Sequence, residues 1–170
     1  MGEGFKFQKG TPVFDTNVYL YNLGDEYNVL TGGWDAGFTL STGSGSGSQT
    51  KNADNLYMTA HNNLNFTHWQ RTYQTQSKVD VTAYSKLKIL TNVTIANAAR
   101  LDLGLVATDN AEISGGACKL AQLTTVSGAI LTLDISAMSG TYYIGVCANS
   151  YFTPANGDCA INAYKIWLEV

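Results

Sequence analysis

The chain has 170 residues, of which 45% are hydrophobic but only 14% charged, with ten Lys and Arg against thirteen Asp and Glu. That length suits one domain able to bury its own core, and a net charge of -3 with scattered basic residues excludes the clustered cations that a nucleic-acid duplex requires. No apolar run approaches the ~20 residues of a spanning helix, and MGEGFKFQKG lacks the apolar core of a signal peptide, so neither membrane insertion nor an export signal of its own is expected.

Residues 1–15 mix Gly, Lys and Gln with Pro12 and are expected to be a lead-in, with the domain covering 16–170. NVYLYNLGDEYNVLTGGW alternates from Val18 and turns at Gly24, which fits two strands or one bulged strand. STGSGSGSQT, Ser41 to Thr50, holds no side chain able to bury and is expected to be a flexible exposed loop. Beyond it DNLYMTAH and LNFTHWQRTYQ alternate large apolar and polar residues. Further strands are expected at Lys86–Ile95, Ala99–Ala107, Lys119–Thr125, Ala129–Leu133, Tyr142–Ala148 and Ala160–Val170. No segment carries an apolar stripe of helical period over three turns, so the class is all-β.

Two segments repeat one pattern. VDVTAYSKLKIL from Val79 and LDISAMSGTYYIGV from Leu133 both run aliphatic, Asp, aliphatic, Ser or Thr, Ala, a bulky residue, Ser, and then a strand. Asp and Ser/Thr side chains bond nearby backbone N–H groups, so Asp80 and Asp134 are expected to hold corners between strands rather than to act as a catalytic pair. Cys118, Cys147 and Cys159 are odd in number, form no CxxC pair, and lie far from His61 and His68. Buried free thiols are therefore expected rather than a zinc site or a Cys147–Cys159 disulfide, in keeping with assembly in a cytoplasm.

The corner DIS-A-x-SG-x-YYIGV, set before a long strand, resembles the galactose-binding-like jelly roll of many carbohydrate-binding modules. A narrower resemblance is carried by YLYNLGDEYNVLTGGW, TKNADNLYM, VDVTAYSKLKI, YYIGV and KIWLEV together. It is to β-sandwich modules on tail or head appendages of phages of Gram-positive gut bacteria. The resemblance implies a two-sheet antiparallel β-sandwich, or jelly roll, at the virion surface, assembled in the host cytoplasm. It also implies other virion proteins as partners, a possible homo-oligomer such as a trimer, and a glycan or other host-surface receptor. Many modules of that fold carry a structural calcium, for which Asp25, Glu26, Asp109, Asn110 and Glu112 offer oxygens, though without the dense spacing of a dedicated loop. Solvated turn acids are the alternative.

Sugars stack their C–H faces on aromatic rings and need hydrogen-bonding side chains beside them. Trp69, Arg71 and Tyr73 offer both on one strand face, with Gln70 and Gln74 opposite; the alternative is that Trp69 packs on the second sheet or a neighbouring subunit. Asn149, Tyr151 and Asp158 of NSYFTPANGD form the second candidate, against a loop folded on its own aromatics. Trp34 is expected to plug the core and Trp167 to pack. No GxSxG serine, phosphate-cradling loop or nucleophile beside a histidine is present, so the expected function is non-catalytic, with no cofactor of its own. A purely structural virion module is the alternative to glycan binding.

Overall fold

The computed structural model describes residues 17–63, 68–97, 99–124, 129–150 and 157–170. In chain order these form β1 (Val18–Asn22), a single turn α1 (Asn28–Thr31), β2 (Trp34–Thr42), β3 (Gly45–Lys51), β4 (Leu56–Asn62), β5 (His68–Thr75), β6 (Val79–Asp80), β7 (Lys86–Ala96), β8 (Ala99–Val106), a second turn α2 (Ile113–Gly116), β9 (Lys119–Leu123), β10 (Ala129–Asp134), β11 (Thr141–Ser150) and β12 (Asp158–Glu169). The first sheet runs β10-β7-β12-β4-β3, with β1 also on β12; the second runs β2-β5-β11-β8-β9, with β6 also on β11. Every pairing is antiparallel. The six long strands from Lys86 onward fall where the alternation places them, within two residues at each end.

Period-2 alternation builds the core. Leu87, Ile89 and Val93 of β7 and Ile161 of β12 face Leu101, Leu103 and Leu105 of β8 and Ile144 and Val146 of β11, all buried. On β12 the inward residues change from odd to even numbers after Ala163, because a bulge between Ala163 and Lys165 takes up one residue and returns Ile166 and Leu168 to the core. Trp34 is the fully buried plug expected of it, and Trp167 packs at 9% exposure.

The twin corners connect the sheets in opposite directions: one carries the chain from β6 to β7, the other from β10 to β11. In each, the Asp Oδ1 accepts the backbone N–H two residues on, from Thr82 at Asp80 and from Ser136 at Asp134, both at 2.9 Å. Val81 and Ile135 are buried beneath, with Tyr84 and Met138 packed against the same core. The corners also hold each other, since Val81 N donates to Gly140 O at 3.0 Å and Gly140 N to Thr82 Oγ1 at 2.9 Å.

These hydrogen bonds hold both carboxyls below the usual carboxylate range. A group whose folded pKa is depressed stabilises the fold above its unfolded pKa of about 3.9 and loses that contribution as pH falls through the folded value. The double variant Asp80→Asn/Asp134→Asn keeps an acceptor at each corner but has no charge to lose. Its denaturation midpoint is expected to fall less than the wild type's between about pH 5 and pH 2. A residual slope will remain from Glu169, which Lys88 and Lys86 also hold low. Identical slopes in the two proteins would refute the corner account.

The Gly-Ser run is not a loop. Gly45–Lys51 is an edge strand paired along its whole length with Leu56–Asn62. The expectation failed because glycines at alternate positions leave no side-chain signal, while the structure uses that very gap. A Cβ on Gly45 would overlap the Trp69 indole nitrogen and the His61 carbonyl, and one on Gly47 would lie 2.9 Å from Thr59 O and 3.1 Å from Arg71 Cγ. Ser46 and Ser48 point the other way and are exposed.

All three thiols are free. Cys147 and Cys159 are buried as expected, and burial raises both thiols, Cys159 to about 12, which leaves them protonated and unreactive at neutral pH. Cys118 departs from the expectation, for it is exposed just ahead of β9.

Candidate functional site

β5 decides where the site lies. Its register sets Tyr73 opposite Val146, Arg71 opposite Ala148 and Trp69 opposite Ser150, so all three turn into the space between the sheets. Tyr73 is 4% exposed within the core and presents no ring to a ligand. Trp69 is half-buried against the same core, with Arg71 over its ring at 5.1 Å. Arg71 Nη1 donates to Leu40 O, Ser41 Oγ and Gln70 O at 3.1, 3.1 and 2.7 Å, and burial lowers its pKa. The predicted aromatic platform is therefore a wedge between sheets. A strand's two faces differ by one residue, and the sequence of β5 is amphipathic on both.

The opposite face carries His68, Gln70, Thr72 and Gln74, and it continues through the register into Asn149 and Cys147 of β11 and Arg100 and Asp102 of β8. Asp102 is fully buried; burial raises its pKa, against the donors around it. Arg100 Nε donates to Oδ1 at 2.9 Å, Gln122 Nε2 to Oδ1 at 2.9 Å and Asn149 Nδ2 to Oδ2 at 2.7 Å. A carboxylate accepts only, so Asn149 turns its NH2 to Asp102 and its Oδ1 toward His68 Nε2, 2.8 Å away, a nitrogen that Gln70 Nε2 also approaches at 3.0 Å. Asn149, a predicted sugar ligand, lies on this face but is fully buried, where it organises the network rather than meeting solvent.

Residues 107–118, with α2 at their centre, lie across this face. Ile113 is buried with Val106 and Cys147, and Ala111, Ala117, Leu120 and Tyr143 pack around them. Two strand glycines make room: a Cβ on Gly104 would lie 3.0 Å from Ile113 Cγ2, and one on Gly145 would overlap Ile113 Cδ1. The segment is tied to β5 by Gln74 Nε2 donating to Asp109 Oδ1 at 2.8 Å, and by Gln70 Nε2 donating to Glu112 Oε1 at 3.1 Å and Ser114 Oγ at 2.7 Å.

At the β2 side of this cover a pocket of 340 Å³ remains, lined by Asp35, Ala36, Gly37, Gln74, Thr75, Gln76, Asp109 and Asn110. Gln74 is only 3% exposed, yet its Oε1 has no hydrogen-bond partner among the described residues; neither has Gln70 Oε1. A buried amide oxygen left unpaired costs about 1–3 kcal/mol, so such atoms mark a place where a polar partner belongs. Gln74 is one of the residues that line the pocket, and its Oε1 is buried beneath, 3.7 Å from where a Cβ on Gly37 would lie. From sequence Gln70 and Gln74 stand only as the face opposite Trp69, Arg71 and Tyr73, and Asp109 and Asn110 only as oxygens for calcium; the signal for the site is the i, i+2, i+4 row of polar side chains on β5.

Asp158 is exposed on the first sheet, away from this face, and pairs with His61, whose other ring nitrogen meets Asn63. Tyr151 lies outside the described residues. Among the described residues no group of three or more His, Cys, Asp or Glu gathers as a metal site. Of the acids considered for calcium, Asp25 accepts Tyr27 N, and Glu26 accepts Trp34 N and pairs with Lys51. Asp109 and Glu112 hold the covering segment.

Two antiparallel sheets packed in this order make the chain a jelly-roll sandwich of the kind found in carbohydrate-binding modules. The family 11 carbohydrate-binding module from Clostridium thermocellum, solved with a β-1,3-1,4-mixed-linked tetrasaccharide, matches at TM-score 0.53 and 12% identity, over 90% of this chain and 95% of that one. The glycoside hydrolase domain structure of Endo-D from Streptococcus pneumoniae R6 matches at TM-score 0.51 and 15% identity over 77% of this chain, which spans 21% of that one. The mannan-recognising module TmCBM27 matches at TM-score 0.47 and 8% identity, over 91% and 99%. No protein-family model and no curated protein matches by sequence.

Proposed function

We propose that the chain is a non-catalytic module that binds a glycan through the pocket at Asp35, Gln74, Gln76, Asp109 and Asn110. The observation that carries this reading is a pocket lined by two carboxylates and the amides of Gln74, Gln76 and Asn110. Sugar hydroxyls donate and accept at once, so a cluster of carboxylate oxygens with amide groups suits them better than it suits an apolar ligand. The high-coverage fold match supports the same class. Placement on a phage appendage, exposed at the virion surface with a host-envelope or mucus glycan as target, is supported by the resemblance of the segment framework. Repeated copies on a particle would convert weak single contacts into durable attachment.

Gln74→Ala and Asp109→Ala each remove a pocket partner. Either is expected to weaken retention on a glycan array by about tenfold or more, the ~1.5–3 kcal/mol of a hydrogen bond to a charged or buried group. Trp69→Ala is expected to leave retention unchanged. Unaltered retention in both pocket variants, with circular dichroism matching the wild type, would remove the site.

A virion module without ligand is the second reading, favoured by the apolar residues of the β1–β2 connection. Val29 is 100% exposed, with Leu23 at 52% and Leu30 at 41%, as suits contact with another protein. The light-scattering mass of the free chain bears on this reading.

A further inference from the structure

The covering segment divides the outer face of the second sheet into a closed part and an open one. Over Gly104 and Gly145 the closure is at van der Waals contact through buried Ile113, so no layer of ligand fits between segment and sheet. Along β5 the segment is fastened at Gln70 and again at Gln74. Beyond Gln74 lies the 340 Å³ pocket, near the small end of the ~300–1,000 Å³ typical of ligand sites. A cleft that holds the middle of a polysaccharide must let the chain leave at both ends. On one side this pocket is lined by Asp109 and Asn110 of the covering segment, across which a chain cannot run on over the sheet.

The lining also has a sign. It holds two carboxylates, Asp35 and Asp109, three amides at Gln74, Gln76 and Asn110, and no Lys, Arg or His among the described residues. An incoming carboxylate would shed water to meet two like charges and no counter-charge.

We infer that the pocket receives the end of a glycan chain rather than its interior, and that the end unit is a neutral hexose or an amino sugar, not a uronic or sialic acid. This rests on the glycan reading above and narrows it. The feature that sets it apart from an open groove is the covering segment, closed on the sheet through Ile113 and reaching the pocket with Asp109 and Asn110.

The test is calorimetric titration of the full chain with methyl glycosides of a neutral hexose, an N-acetylhexosamine and a uronic acid, and with a neutral polysaccharide before and after partial hydrolysis. A neutral glycoside is expected to bind about tenfold or more tighter than the uronate. Binding capacity per gram of polysaccharide is expected to rise in proportion to the chain ends that hydrolysis creates. Asp35→Asn/Asp109→Asn keeps acceptors for Gln76 and Gln74 while removing both charges, and is expected to bring neutral sugar and uronate within about threefold of each other. Uronate binding as tight as that of the neutral sugars overturns the charge assignment. Intact polymer equalling its hydrolysate per gram overturns the chain-end assignment. Either result leaves the glycan reading standing, whereas binding to none of the probes overturns both.

Discussion

Replacing Trp34 by alanine is expected to lower the unfolding free energy by about 3–5 kcal/mol, among the larger single effects available in this chain. The indole is fully buried and packs edge-on to Tyr21, with ring centres 6.4 Å apart and planes at 77°. Its Nε1–H donates to Leu20 O at 2.8 Å. Leu20 and Tyr21 belong to β1 in the first sheet and Trp34 to β2 in the second, so one side chain joins the layers at their margin. Alanine would leave a cavity and strand a buried carbonyl together. For a chain of this length the loss corresponds to about 10 °C in Tm. Urea denaturation followed by fluorescence and circular dichroism checks it, and a change below about 1 kcal/mol would mean that Trp34 is not the joint described.

Gly45→Val is expected to destabilise the fold by about 1–3 kcal/mol, although valine is the better strand former. A Cβ there meets the His61 carbonyl and the Trp69 indole nitrogen, and the first is backbone that cannot swing aside. β3 would have to move off β4 or Trp69 out of its slot. Ser46→Val, one residue on and facing outward, is the control and is expected to change stability by less than about 0.5 kcal/mol. Equal denaturation midpoints for the two variants would show that the glycines of the edge strand are not there to admit Trp69 and Arg71.

These two positions also show where sequence reading works and where it fails. Trp34 sits between turn glycines and a strand, and burial of so large an apolar surface was the simplest expectation. Gly45 and Gly47 belong to a run with no apolar residue, and nothing local reveals that a tryptophan some two dozen residues away needs the space. The aromatic row of β5 turns inward for a related reason. His68 to Thr75 alternates, but both of its faces carry groups able to bury or to bind, so alternation alone could not say which face looks outward. Only the pairing with β11, which sets Tyr73 against Val146, turns the aromatic row inward and the glutamine row out.

The all-β class, the long strands from Lys86 onward and the two aspartate corners are legible in the sequence, because each depends on side chains within a few residues of one another. Not legible there are the face on which polar groups gather, the closing of that face by Ile113 over two glycines, and the pocket left at Gln74 and Asp109. Those features are set by register and by contacts between strands distant in sequence, and a period-2 pattern is blind to a choice between its own two faces.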